Sequence, residues 1–331
     1  MSRAFKLVIC VRHPFELWTA PAWFSERLRE EFPRLQIAHL PDYKTLTVEI
    51  RDAEVFVGWS LRAEQVAAAK QLRWVHSTAA AIHQLLSPEL VASQIVLTNS
   101  TQVHGPVVAE HALALILALA KRIPSAVKLQ QRQLWGQAII WEERPRPREV
   151  AGATLGVVGL GSIGGELAGK ARALGMRVVA VREHPEKGSG GAHAVEGLAG
   201  LGRLLAEADY VVLAAPLTEK SRGLMNAQRL AQMKPDAFLI NVSRGALVEE
   251  EALVAALEKH TIAGAALDVF AAEPLPEQSP LWRLENLLVT PHTAAVTERL
   301  WERHYELLAD NLRRYLAGQA LRGVVDKGRG Y

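Results

Sequence analysis

Cysteine is almost missing: the 331 residues contain only Cys10. A single thiol excludes an intrachain disulfide and a cysteine-rich metal site, and it fits a reducing compartment. A strong charge of one sign is missing too. Lys and Arg exceed Asp and Glu by only three (38 − 35 = 3), and no run of five basic residues occurs. Nothing therefore points to nucleic acid. The start, MSRAFKLVIC, lacks the long apolar stretch and small-residue cleavage site of a secretion signal. The most apolar stretch, VVAEHALALILALA (107–120), carries Glu110 and His111 and is shorter than a bilayer span. It is expected to be a core helix of a cytoplasmic protein with no membrane role. The 11 histidines show no ligand spacing, so no metal is expected.

What the chain does have is 49% hydrophobic residues, enough to bury the cores of two ordinary domains. Its first hundred residues alternate strand-like runs (6–10, 35–40, 54–59, 73–77, 95–98) with amphipathic stretches (22–32, 62–72). A long helix is expected over 106–121, then a surface excursion rich in Trp, Arg and Pro over 133–152. A second alternation follows, with strands near 154–159, 177–182, 209–215, 237–242, 262–268 and 286–290. GSGGA (188–192) reads as a flexible loop, and 297–318 as one amphipathic helix. Strands alternating with helices imply parallel sheets.

The second alternation opens with a glycine turn: Gly159-Leu160-Gly161-Ser162-Ile163-Gly164, between a strand and a helix. Gly159 permits the tight turn, Gly161 a close approach of a pyrophosphate, and Gly164 close helix–strand packing. The helix start favours phosphate charge. A dinucleotide site of this kind usually places an acid at the end of the second strand to hold the ribose hydroxyls. Here that position is Arg182. A guanidinium suits the 2′-phosphate of NADP, so NADP(H) is the preferred cofactor, with NAD(H) possible. Two competing readings stay open: Arg182 as a solvated strand end, and Glu183 facing the ribose instead. His184 and Lys187 add nearby positive charge.

Three further motifs fall at the carboxyl ends of expected strands: INVSRGALVEEEAL (240–253), GAALDVFAAEPLP (264–276) and LLVTPHTAAVTE (287–298). With GLGSIG and PLT (216–218), in this order, they make the chain resemble the D-2-hydroxyacid dehydrogenase family, which includes glyoxylate/hydroxypyruvate reductases. The resemblance covers nearly the whole chain and is most specific over 152–295. It implies an α/β protein of two Rossmann-like or flavodoxin-like domains with parallel sheets and a cleft between them. The expected division is a discontinuous substrate-binding domain, 1–101 and 297–331, and a dinucleotide-binding domain, 102–296.

The resemblance also implies roles. Arg244, Glu273 and His292 match the catalytic trio, and Asp268 the carboxylate near the nicotinamide; Pro216, Thr218 and Val242 match cofactor-lining positions. The chemistry agrees: Arg244 can grip a 2-oxo acid with its planar fork, and His292 can donate the proton as hydride reaches the carbonyl carbon. Glu273 can fix the histidine tautomer. In the first domain, Ala81-Ile82-His83 replaces the family's Gly-Val-Asp in the loop whose backbone binds the substrate carboxylate. His104 either borders the substrate or is a polar loop residue. Trp282 either walls the pocket or is a core aromatic. Ala215, where the family often has His or Cys, and Ala295, where it often has Gly, put the substrate in doubt more than the reaction. A small 2-oxo or 2-hydroxy acid and a homodimer contact through 106–150 complete the expected partners. Glu273 argues against a formate dehydrogenase, which carries Gln there. A methyltransferase could also use a glycine-rich turn, but it too usually wants the missing acid. A dinucleotide-sensing, corepressor-like protein with little turnover would share every one of these motifs.

Overall fold

The computed structural model describes residues 4–82 and 84–328. It divides into two compact units, one made of Met1–His104 with Val296–Tyr331, the other of Gly105–Ala295.

The first unit runs β1 (Lys6–Cys10), α1 (Ala22–Glu31), β2 (Gln36–His39), α2 (Leu46–Glu49), β3 (Ala53–Gly58), α3 (Ala63–Ala68), β4 (Trp74–His76), α4 (Pro88–Ala92) and β5 (Val96–Thr98). All its strand pairs are parallel, in the order β2-β1-β3-β4-β5. Alternate residues feed opposite faces, as a pleated strand requires. Leu7, Ile9, Val55 and Val57 join Phe24 and Leu28 of α1 in one core. Val8, Cys10 and Phe56 join Leu46 and Leu90 in the other.

Helix α5 (Thr101–Ala120) straddles the unit boundary. It starts five residues before the expected 106. Pro106 there resembles a first-turn proline, but it lies inside the helix and only costs one backbone hydrogen bond. At 20 residues the helix is long and apolar enough to cross a membrane, so the length argument fails. Burial answers the question instead: Ala109, Ala112 and Ile116 pack fully buried in the core of the second unit.

The second unit continues with α6 (Ile123–Gln131), α7 (Gln137–Glu142), β6 (Thr154–Val158), α8 (Ser162–Ala173), β7 (Arg177–Val181), β8 (Ala194–Glu196), α9 (Leu201–Glu207), β9 (Tyr210–Leu213), α10 (Ala227–Leu230), β10 (Phe238–Asn241), α11 (Glu250–Glu258), β11 (Gly264–Leu267) and β12 (Leu287–Val289). Its seven strands are parallel in the order β12-β11-β10-β9-β6-β7-β8, with the direction of winding reversing between β6 and β9. That is the doubly wound dinucleotide order. Leu155, Val157, Val178, Ala180, Tyr210 and Val212 face α5 and α8. Val158, Val179, Val181, Val211 and Leu213 face α9 and α11. Strand β8 is absent from the sequence reading because three residues show no periodicity. The neighbouring glycines, read as a flexible loop, adopt left-handed backbone: φ is 95° at Gly188, 50° at Gly190 and 88° at Gly191. The chain returns to the first unit in α12 (Leu300–Leu316), whose Trp301, Tyr305, Leu308 and Leu312 complete the core around α1.

The first unit also buries three imidazoles. His76 lies on β4, with Nδ1 2.8 Å from Thr98 Oγ1 and Nε2 3.3 Å from Ser100 Oγ. His104 packs edge-on against His304 at 5.6 Å. Burial pushes His76 down to about 4 and holds His304 well below its usual 6.5. Well above pH 6.5 the His76 and His304 rings are neutral in both folded and unfolded chain. Below it the unfolded chain takes up protons that the folded unit refuses, so stability falls as pH falls. The first unit is expected to lose roughly 3 kcal/mol through His76 alone between about pH 6.5 and pH 4, at about 1.4 kcal/mol per pKa unit. Denaturant midpoints measured across that range test this, with His76→Gln flattening the slope.

Candidate active site

The turn after β6 is held by close approach. Gly159 has φ of 97°, and a Cβ on it would lie 2.6 Å from the backbone of Ala215, which follows β9. A Cβ on Gly164 would lie 2.1 Å from the Gly159 carbonyl oxygen, so any side chain there forces α8 off the turn. A Cβ on Gly161 would meet nothing within 4 Å, which leaves open space over the turn. Leu160 is buried and Ile163 packs on the same core, so this pair contributes anchorage by side chain. Ser162 opens α8, and the first turn of that helix carries no acid. An anionic group meets the positive end of α8 without a competing carboxylate.

The second strand stops at Val181, one residue short of expectation, although the Arg182 N–H still donates to the Glu196 carbonyl at 3.0 Å. The Arg182 guanidinium is half-buried and makes one long contact, 3.4 Å to the Gly188 carbonyl. Glu183 lies 3.9 Å from Lys220, and His184 lies 3.1 Å from Glu186.

The three chemical side chains follow β10, β11 and β12. Asn241 shapes the first turn: its side chain accepts from the Ser243 N–H (3.1 Å) and donates to the Arg244 carbonyl (2.9 Å). Gly245 is required beside it, because a Cβ there would sit 1.9 Å from the Phe270 carbonyl carbon. Burial pushes the Arg244 guanidinium below its usual value, while the charge of Glu273 opposes that shift. Glu273 accepts from the Phe270 N–H at 2.9 Å through Oε1, and its Oε2 lies 2.6 Å from His292 Nδ1. His292 has φ of 52°, a left-handed conformation that costs a non-glycine residue free energy. Its N–H donates to the Asp268 carbonyl at 2.9 Å, which helps to hold it there.

Asp268 does most of that holding. It is 1% exposed, and both its oxygens are engaged: Oδ1 accepts from the Thr290 hydroxyl (2.6 Å) and the Thr293 N–H (2.9 Å), Oδ2 from the Ala294 N–H (3.0 Å). The carboxylate expected beside a cofactor thus anchors the segment that carries His292. His111 of α5 joins it, 3.1 Å from Thr290 Oγ1 and 3.5 Å from Asp268 Oδ1. Burial lowers the His111 pKa against the pull of Asp268.

The family model for the D-isomer specific 2-hydroxyacid dehydrogenase, NAD binding domain, matches residues 113–294. The chain belongs to that family. It is 34% identical over 295 residues to a glyoxylate reductase of Korarchaeum cryptofilum, covering 87% of each. It is 38% identical over 263 residues to a D-3-phosphoglycerate dehydrogenase of Synechocystis, covering 79% of this chain but 46% of that one. The chain thus spans about half the length of that relative. A solved D-isomer specific 2-hydroxyacid dehydrogenase of Xanthobacter autotrophicus, in complex with NADPH and MES, superposes with a TM-score of 0.82 at 30% identity over 100% of both chains.

Within this member of the family, the second unit holds the glycine turn, Arg182, Arg244, Asp268, Glu273 and His292. Pro216 and Thr218 sit in the loop after β9, where Ser221 Oγ donates to the Pro216 carbonyl (2.7 Å) and accepts from the Thr218 N–H (2.8 Å). Val242 is buried in the core just past β10. Trp282 is 51% exposed, its indole N–H donating to the Pro276 carbonyl, which removes the core-aromatic reading. The remaining positions belong to the first unit. Ile82 buries its side chain in the core there, and Ala81 is half-buried. His83 lies outside the described residues. His104 is a buried helical residue packed on His304, which corrects the loop reading. Sequence reasoning missed His111 and Thr290 as partners of Asp268. The hint was a histidine in a largely apolar helix.

Gly164→Ala is expected to weaken dinucleotide binding by at least about tenfold, since the added methyl meets the Gly159 backbone first and cannot be relieved by a rotamer change. Titration with NADPH followed by fluorescence checks this; unchanged affinity sinks the close-packing account of the turn.

Proposed function

We propose that this chain reduces a small 2-oxo acid of the glyoxylate or hydroxypyruvate kind to the D-2-hydroxy acid. The observation that carries the reading is the Glu273–His292 pair at 2.6 Å, with the half-buried Arg244 close enough to feel the charge of Glu273. With Nδ1–H directed to Glu273, Nε2 is the nitrogen left to exchange a proton with substrate oxygen. Arg244 offers a rigid fork to the carboxylate and ketone oxygens and polarises the carbonyl. Bound nicotinamide supplies the hydride in reduction and accepts it in reverse. The glycine turn and the α8 terminus would hold the pyrophosphate, and in the opposite direction His292 accepts the hydroxyl proton.

NADP(H) is the preferred cofactor and NAD(H) a poorer one. Arg182 supports this, being half-buried with one weak carbonyl contact, while the acidic alternative Glu183 lies beside Lys220. The Xanthobacter relative was solved with NADPH. The single buried Cys10 suits a cytoplasmic, reducing setting. A second copy of this chain is the partner proposed for the arm after α5, where Trp135 is 92% exposed and Trp141 and Ile139 lie exposed nearby. Light scattering should accordingly give the mass of two chains.

Initial rates of NADPH and NADH oxidation with glyoxylate, hydroxypyruvate, pyruvate and phenylpyruvate test the reading. NADPH should be favoured, and Arg182→Asp should move the preference at least about tenfold toward NADH. His292→Gln should cost about 10²-fold or more in kcat with dinucleotide affinity kept. Tight dinucleotide binding without turnover on any oxo acid would overturn the reductase in favour of a sensor.

A further inference from the structure

Helix α5 packs small and aliphatic residues on the core of the second unit, yet it interrupts that surface with an imidazole. His111 is half-buried and shares a stripe with the buried Val108 and Leu115, one turn to either side of it. Burying an imidazole costs free energy unless its N–H finds a partner, and a leucine would fill the same place without that cost. Glu110, next to it in the chain, is occupied elsewhere, 3.1 Å from Lys170 of α8. The partner of His111 is the Thr290 hydroxyl, two residues before His292.

Proton count fixes the direction of each hydrogen bond. Thr290 has a single hydroxyl proton. It goes to Asp268 Oδ1 at 2.6 Å, the length of a charge-assisted bond. Thr290 Oγ1, 3.1 Å from His111 Nε2, must therefore accept there, so Nε2 carries a ring proton. Nε2 also stands 3.5 Å from Asp268 Oδ1. Burial lowers the His111 pKa, so above neutral pH the ring is an uncharged donor and not half of an ion pair. The hydrogen bonds thus run one way, from His111 through Thr290 to Asp268. They end on a clamp around His292, because Asp268 also accepts from the Thr293 and Ala294 N–H groups that follow it. His292 sits inside that clamp with φ of 52°, a conformation that persists only where its surroundings over-determine it.

We propose that His111 is a positioning residue for proton transfer, an assignment resting on the reductase reading above: through Thr290 it locks the Asp268 clamp that holds His292. A histidine on a core helix ordinarily does no more than satisfy its own N–H. Here its acceptor is the hydroxyl that closes the clamp, so losing the donor frees that hydroxyl to rotate off Asp268. A small misplacement of a reacting group costs rate far more than it costs binding. The signature of this role is a fall in kcat with KM, dinucleotide affinity and stability kept.

The experiment compares the intact protein with His111→Leu, His111→Gln and Thr290→Val. Leucine fills the site without a donor, and glutamine brings an amide N–H to about the reach of Nε2. With NADPH and hydroxypyruvate, His111→Leu should lose at least about fivefold in kcat, with KM and NADPH affinity within about twofold and the denaturation midpoint kept or raised. His111→Gln should recover most of that loss. Adding His111→Leu to Thr290→Val should cost nothing further, because both break the same run of hydrogen bonds. The ring-nitrogen NMR signals of His292 should move in His111→Leu and return in His111→Gln, a readout that needs no turnover. A kcat unchanged by leucine, or glutamine no better than leucine, overturns the proposal. Losses in KM, NADPH affinity and stability alongside kcat overturn it too and leave His111 a packing residue. His292 signals unmoved by leucine overturn it with or without turnover. If the unmodified protein turns over no oxo acid, the reductase reading falls, while signals displaced by leucine and restored by glutamine still sustain His111 as the residue that positions His292.

Discussion

Every strand pair in both sheets is parallel. A parallel ladder needs a crossover between consecutive strands, and those crossovers cover both faces of the sheet. Two consequences follow. Strands such as TLGVV and RVVAV must be apolar at nearly every position, because neither face meets water. And all carboxyl ends emerge along one edge, so side chains far apart in sequence are delivered together. The glycine turn, Arg244, Glu273 and His292 come from the ends of four strands of one sheet, with more than a hundred residues between the first and the last.

That edge is made specific by a few contacts with almost no slack. Gly159 touches Ala215, Gly164 touches Gly159, and Gly245 touches the Phe270 carbonyl. Each is backbone against backbone, so no rotamer change can relieve an added carbon. Asp268 supplies the polar counterpart. Buried with two oxygens accepting three hydrogen bonds, it ties residues 290–294 to β11 and supports His292 in a left-handed conformation. Removing such a carboxylate would leave the buried Ala294 N–H and the half-buried Thr293 N–H unpartnered, which costs more than the bonds are worth while intact.

Much of this was legible in the chain. Ten of the twelve strands lie within expected runs and β3 begins one residue before its own, because a doubly covered strand leaves a continuous apolar signature. The glycine spacing announced the turn, and the family motifs singled out Arg244, Glu273 and His292, which the structure places after β10, β11 and β12. The misreadings have physical causes. Strand β8 has three residues and no pattern to read. Helix α5 begins earlier than its proline suggested, because a helix packed on a core tolerates one missing bond. His104 read as a loop residue for the same reason. Trp282 proved exposed and tied to the Pro276 carbonyl, since an indole N–H can find its partner at the surface as well as in a core.

By itself the sequence determined the alternation of strand and helix, the apolar faces, the glycine positions and the identity of the chemical side chains. Those properties are local: they depend on residue type and on neighbours within a few positions. Only the tertiary structure decided that Asp268 anchors the His292 segment and that His111 from a distant helix meets it. Such relations arise from strand order and register. Those are set by how whole layers pack, and no stretch of sequence carries that information alone.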